Sequence, residues 1–330
     1  MSLATGPLFI VGLPRSGTKI LRELLNQHPR IRINEVETEF LPWLDDAVQA
    51  GGDLRDRSRF GALAEAAGRL PYFRYRAQAG SPVDVDRWHR ACRTFDTAAI
   101  FEALMRVELG LTDDPDVVWG DKSPSYIDDI PLIGRLFPTA RVVHIVRDAR
   151  DQALSSHRAW GKNIARSAQR WADDVARARR DGQALGPRFL EVRYEDLLAD
   201  PAQTMRDLCR FLDLPFDPVV TRPGKAVENL GDATGATTVV SGNTRKFVDG
   251  LAPRTLALVE AVAGDELVRH GYALTQPATT PRRLSRARMA WARALDGVAL
   301  VRSRQDEMGW WQAALFHLRY RTASKQRRHG

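Results

Sequence analysis

The chain has 330 residues, 44% of them hydrophobic and 27% charged, with 49 Lys or Arg against 41 Asp or Glu and a net charge of +8. That apolar share is enough for a buried core and excludes a disordered chain, while two cysteines exclude a disulfide framework and point to a reducing compartment. The charge is unevenly placed: residues 281–330 carry +9 and the remainder about −1, so the basic balance says little about the body and does not imply nucleic-acid binding.

The first residues, MSLATGPLFIVG, lack the charged n-region and long apolar core of a signal peptide, which predicts a cytoplasmic protein. Leu8 to Val11 reads as an apolar strand feeding a loop, Gly12 to Thr18, and then an amphipathic helix to about Gln27, closed by His28-Pro29. A strand delivering a glycine-bracketed loop to a helix start makes an anion site, because unbonded N–H groups and the positive end of the helix dipole meet there. Gly12 and Gly17 let the backbone bend close to a bulky anion, Arg15 and Lys19 supply charge, and Ser16 and Thr18 supply hydroxyls. The nucleotide-triphosphatase pattern G-x-x-x-x-G-K-[ST] needs Lys before the hydroxyl residue, whereas here Thr18 precedes Lys19. The order argues for an anion cradle without metal-nucleotide geometry and leaves a P-loop kinase as the alternative.

Next comes an acidic stretch with Glu35, Glu37 and Glu39, three acids close enough to raise the pKa of one of them. An arginine-rich, mostly helical insertion follows over about 45–115, with helices predicted at Arg57 to Arg69 and Thr97 to Leu109. Its Tyr72, Phe73, Tyr75 and Trp88 are candidates to stack on sugar rings or line a lipid pocket, and equally to form the insertion's own core. The apolar run Val117 to Trp119 leads into Asp121-Lys122-Ser123-Pro124, which puts Lys122 at a strand end. A further strand, within RVVHIVRDARDQALSSHRAW, runs into Arg147, and Ser155 lies two helical turns on, so both can face one phosphate. Residues 189–215 again read strand then helix, with Asp200-Pro201 as cap and first helical position. Asn243-Thr244-Arg245-Lys246-Phe247 is a late basic segment.

Taken together, Pro14-Arg15-Ser16-Gly17-Thr18, the Arg147 and Ser155 segment, the Tyr194-Glu195-Asp196 stretch and the Arg245-Lys246 segment resemble four blocks, in the same order, of the sulfotransferases that use 3′-phosphoadenosine 5′-phosphosulfate (PAPS). The resemblance covers roughly residues 7–250 and is similar to the bacterial and protein-tyrosine branch. It implies a P-loop-like α/β fold, a central parallel sheet flanked by helices, and transfer of a sulfuryl group to a hydroxyl with no metal. Under it, Arg15, Ser16, Gly17, Thr18 and Lys19 bind the 5′-phosphosulfate. Arg147, Ser155, Tyr194, Arg245 and Lys246 bind the rest of the donor, with Arg158 a weaker candidate. Glu35 stands at the position of the base, with Glu37, Glu39 and His28 in reserve. Arg15 and Lys122 stabilise the departing oxygen.

The acceptor is expected to be a carbohydrate or glycolipid, with protein tyrosine as the second choice. His144, inside an apolar strand, reads as a packed core residue, and no metal-ligand spacing is present. The domain is expected to span 1–280, with a hinge at Thr279-Thr280-Pro281. Beyond it, Leu284, Trp291, Leu295 and Val298 recur at helical spacing, and Trp310, Trp311, Leu315, Phe316 and Leu318 follow. Basic residues beside such side chains make 281–330 a candidate for peripheral membrane contact.

Overall fold

A computed structural model of the chain describes residues 6–112, 114–226, 234–275 and 282–303. In chain order the elements are β1 (Leu8–Val11), α1 (Thr18–Leu25), β2 (Ile31–Ile33), α2 (Leu41–Ala50), α3 (Arg57–Ala67), α4 (Pro71–Gln78), α5 (Val85–Ala91) and α6 (Thr97–Leu109). There follow β3 (Val118–Lys122), α7 (Ile130–Leu136), β4 (Arg141–Val146), α8 (Ala149–Trp160), α9 (Ile164–Gln183), β5 (Phe189–Arg193), α10 (Tyr194–Ala199), α11 (Pro201–Phe211), α12 (Phe247–Gly250), α13 (Pro253–Arg269) and α14 (Arg286–Ser303). The five strands form one parallel sheet in the order β2-β3-β1-β4-β5.

A central parallel strand is covered on both faces, and β1 shows how four apolar residues meet that demand. Phe9 and Val11 join one core with Trp119, Phe101 and Phe137, while Leu8 and Ile10 join the core on the other face with Leu21, Leu24, Ile145 and Met205. Being central, β1 has β3 on one side and β4 on the other, with Ile10 level with Lys122 and Val11 level with His144. The carboxyl ends of these three strands therefore open together, where an open α/β sheet accepts ligands. Helix starts follow local signals: Asp56, Asp96, Asp148 and Asp200 accept from N–H groups in the first turns of α3, α6, α8 and α11.

The insertion is helical, as its pattern predicts, and begins at α2, a few residues early. It has no separate core. Phe101 on α6 stacks on Phe9 of β1 at 6.5 Å and meets Phe40 at 5.4 Å, so the insertion is continuous with one face of the sheet. Tyr72, Phe73 and Trp88 are buried in it, and Trp88 Nε1–H donates to the Ile100 carbonyl at 2.8 Å. The open choice between stacking platform and core is thus resolved toward core for these three, and only Tyr75, at 56% exposure, is available at the surface. The hinge at 279–281 and the aromatic run at 310–318 lie outside the described residues.

Because insertion and sheet share one core, urea unfolding followed by tryptophan fluorescence and circular dichroism should give one coincident transition. Phe101→Ala should lower stability by about 3–5 kcal/mol with the m-value unchanged. Two separated transitions would contradict a shared core.

Candidate functional site

The loop between β1 and α1 has the backbone shape its glycines permit. Gly12 (φ 156°) and Gly17 (φ 95°) both adopt values that favour glycine, and neither has room for a side chain. A Cβ on Gly12 would lie 2.7 Å from the Ile145 carbonyl oxygen, and one on Gly17 would lie 2.3 Å from the Tyr194 ring. Arg15 also has a positive φ, 72°. The first helical N–H bond of α1 runs from Leu21 to Gly17, which leaves the N–H groups of its opening turn directed at the loop. Ser16 is fully buried, and its Oγ has no hydrogen-bond partner among the described residues. A buried hydroxyl without a partner is costly, so the loop is built to be completed by an acceptor from outside.

Arg147 stands where β4 ends. One of its terminal nitrogens donates to the Arg15 carbonyl at 3.2 Å and the other to the Asn243 carbonyl at 3.1 Å. Its guanidinium lies over the Tyr194 ring at 4.6 Å and 3.8 Å from the buried Asp151 carboxylate. Its Nε is buried without a partner among the described residues. Tyr194 in turn accepts from Asn243 Nδ2 at 2.7 Å, so Asn243 ties the 241–247 segment both to Arg147 and to the ring beneath it. Burial pushes the Asp151 carboxyl up, against the pull of Arg147 and of the Phe247 N–H that donates to it at 2.9 Å.

Ser155 faces the same space from α8 and accepts from Arg15 Nε at 3.2 Å. Arg15 therefore reaches toward the expected phosphate-binding serine, and its guanidinium also lies 5.9 Å from the Trp160 ring. Gln152, between them on α8, donates to the Pro14 carbonyl at 2.9 Å and fixes the loop against the helix. Sequence reasoning passed over Gln152; its position one turn before Ser155 was the available signal. Lys19 is half-buried on α1, Arg245 is exposed with a φ of 55°, and Lys246 is half-buried at the start of α12. The Arg158 guanidinium lies against Gly250, at the end of α12.

The second half of the site is the acidic stretch 34–40, held by a hydrogen-bond cluster. Thr38 Oγ1 donates to Asp121 at 2.5 Å and lies 2.7 Å from the Tyr126 hydroxyl. Ser123 Oγ donates to Asp121 at 2.6 Å and accepts from the Thr38 N–H at 3.0 Å. Full burial raises the Asp121 carboxyl to about 6 although Ser123, Thr38 and Lys122 all favour its charged form. This cluster presents Glu37 to Lys122, and the two form an ion pair. The Lys122 side chain is only 1% exposed, and burial pushes its ammonium pKa down against the pull of Glu37, with Arg22 and Lys19 adding repulsion. Arg22, buried on α1, donates to the Glu35 carbonyl at 2.7 Å and supports the same stretch from below.

Glu35 itself points elsewhere. Its side chain is 62% exposed and pairs with Lys225, whose hydrogen bond holds the carboxyl below its ordinary range. Of the three acids, Glu37 is the one at Lys122, and Glu39 takes a left-handed backbone (φ 54°) at the turn into α2. His28 is buried with both ring nitrogens engaged: Nδ1 accepts from the Arg30 N–H at 3.1 Å, and Nε2–H donates to the Pro215 carbonyl at 3.0 Å. That removes it as a reserve base. His144 is fully buried, with Nδ1 3.0 Å from Glu191, which agrees with a core role. Among the described residues no group of three His, Cys, Asp or Glu side chains is arranged to hold a metal.

The family model described as the sulfotransferase family matches residues 7–218, the stretch that contains the loop, Glu37, Lys122, Arg147 and Ser155. The chain is 24% identical over 234 residues to protein-tyrosine sulfotransferase 1 of Danio rerio, covering 68% of this chain and 58% of that protein. It is 27% identical over 221 residues to protein-tyrosine sulfotransferase A of Caenorhabditis elegans, covering 64% and 51%. The chain thus spans about half the length of these curated relatives. Among solved structures it is similar to the sulfotransferase domain of the Synechococcus PCC 7002 olefin synthase, at 25% identity and a TM-score of 0.51 over 81% of this chain and 95% of that one. The chain belongs to the sulfotransferase family.

Asp121 gives the site a pH signature. Its folded pKa lies above the usual carboxylate value, so the folded state binds more protons between about pH 4 and 6, and its contribution to stability falls as pH rises through that window. Relative to Asp121→Asn, the wild-type unfolding free energy should fall by about 2–3 kcal/mol from pH 4 to pH 6. Urea titrations at stepped pH measure it, and a difference that does not change with pH would place the charge elsewhere.

Proposed function

We propose that this member of the sulfotransferase family transfers a sulfuryl group from PAPS to a hydroxyl acceptor, leaving adenosine 3′,5′-bisphosphate and needing no metal. The observation that carries the reading is the Glu37–Lys122 ion pair, buried on the lysine side, standing beside an anion loop with unsatisfied donors. The residues fit the donor: Ser16 Oγ and Arg147 Nε are buried polar atoms without partners among the described residues, both at the loop. When bound, PAPS supplies the activated sulfuryl group.

Ser16, Gly17, Thr18 and Lys19 hold the 5′ side with hydroxyls, an ammonium and the N–H groups of α1. Arg147 and Ser155 would hold the 3′-phosphate, with Arg245 and Lys246 as further cations on the adjoining segment, and the Tyr194 ring keeps Arg147 in place. Sulfuryl transfer, like phosphoryl transfer, moves a charge-rich group between two in-line oxygens, so positioning and electrostatic stabilisation dominate. Arg15 and Lys122 put positive charge where the leaving oxygen becomes negative.

The base is Glu37 rather than the Glu35 expected from sequence. An exposed carboxylate whose pKa is lowered by Lys225 is a poor proton acceptor, whereas Glu37 is held beside the cation that meets the transferred group. Glu37 takes the acceptor hydroxyl's proton as the oxygen–sulfur bond forms and the donor's bridging bond breaks.

The acceptor we propose is a carbohydrate or glycolipid hydroxyl, bound with the help of the insertion. The apolar-faced basic helix α14, packed beside the site, supports a lipid-linked acceptor. Protein tyrosine is the second reading, favoured by the two relatives named above. A cytoplasmic setting is part of the proposal and is supported by the two free thiols, Cys92 and Cys209. A screen of sugars, glycolipids and tyrosine peptides for the mass gain of one sulfuryl group identifies the acceptor. With it, Glu37→Gln should lower turnover by about 10²–10⁴-fold while sparing bisphosphate binding, and Glu35→Gln should stay within about an order of magnitude of wild type. The reverse ranking would return the base to Glu35.

A further inference from the structure

Helix α14 is fastened to the body along one side. Its own Ala292 and Asp296 are buried on that side, at 5% and 4% exposure. Asp296 accepts from the Asn163 N–H at 2.7 Å and pairs with Arg166. Gly161 approaches so closely that a Cβ there would lie 3.0 Å from that of Ala299. The chain entering the helix is held as well, the Leu284 N–H donating to Gln169 Oε1 at 3.2 Å.

The opposite side is apolar and open. Trp291, Leu295 and Val298, at i, i+4 and i+7, are 65%, 42% and 52% exposed, so three of the eight large hydrophobic side chains exposed among the described residues stand together on this one helix face. Asp296, the helix's single acid, is turned inward onto Arg166, so the remaining charge on α14 is arginine. Arg286 and Arg288 are exposed on its first turn. An outward face that is apolar with cationic flanks matches an anionic lipid surface in both hydrophobicity and charge sign. The tryptophan on it, Trp291, suits the headgroup boundary.

We propose that this face of α14 docks on an anionic lipid bilayer. The docking corner adjoins the site: α14 packs on Gly161, next in sequence to Trp160, over which Arg15 lies. Docking therefore brings the anion loop to acceptors held at the bilayer. That second step rests on the transfer reading above; the docking does not.

The test is co-sedimentation of the full chain with vesicles of phosphatidylcholine alone and with about a third phosphatidylglycerol. The expected result is binding to the anionic vesicles that weakens with salt, and at least a tenfold loss in the variant Trp291→Ser, Leu295→Ser, Val298→Ser. Arg286→Gln with Arg288→Gln should lose severalfold on anionic vesicles only. Circular dichroism of the same samples reports folding, and their titration with adenosine 3′,5′-bisphosphate tests the transfer reading separately, which keeps the two apart; should the triple variant fail to fold, Trp291→Ala replaces it. The proposal is overturned if the intact chain does not bind, or if the variants bind as well as wild type. It is also overturned if sedimentation velocity shows a dimer that the same substitutions dissolve, which would give the face to a second copy.

Discussion

Arg147 is the constraint on which the site depends. A guanidinium at the end of β4 has five donors and no acceptor, and burial makes each unspent donor costly. This one spends its terminal nitrogens on the carbonyls of Arg15 and Asn243, segments 132 and 96 residues away in sequence. It also rests on the Tyr194 ring, which fills the space that Gly17 leaves by having no side chain. One side chain thereby sets the anion loop, the start of α10 and the late basic segment relative to one another. Its Nε remains without a protein partner among the described residues, which is what a phosphate site needs from the residue that organises it.

The acidic half of the site obeys a parallel rule with opposite charge. Asp121 is fully buried, and desolvation alone makes it a costly anion. The hydroxyls of Thr38 and Ser123 offset part of that cost and, in doing so, tie the acidic stretch to β3. Glu37 meets Lys122 as a consequence of this tether. Preorganisation of this kind, with the cation already desolvated, is what the proposed role of Lys122 at the leaving oxygen requires.

The fold was legible wherever the determinant was local. The apolar run Leu8 to Val11, the glycines at 12 and 17, and the aspartates capping α3 and α6 each sit in or beside the element they specify, and α6 runs over the predicted residues. The choice among Glu35, Glu37 and Glu39 was not local. Alternating acids in a short stretch look equivalent, and which one turns inward is decided by Asp121, Ser123 and Tyr126, more than 80 residues on. The insertion's aromatics were ambiguous for the same reason: Phe9 and Phe40 decide that Phe101, Tyr72 and Phe73 are core. His28 shows a milder case, since a helix-end role was readable while its distant partner, the Pro215 carbonyl, was not.

The central claim is that Arg147 and Ser155, with the loop beside them, form a donor site for a 3′-phosphorylated nucleotide. Calorimetric titration with adenosine 3′,5′-bisphosphate tests it most directly, with and without Mg²⁺ and beside an ATP control. The account predicts tight binding, indifferent to Mg²⁺, that weakens at least tenfold when Arg147 or Ser155 becomes alanine. Absence of binding, or a Mg²⁺-dependent preference for ATP, would contradict it.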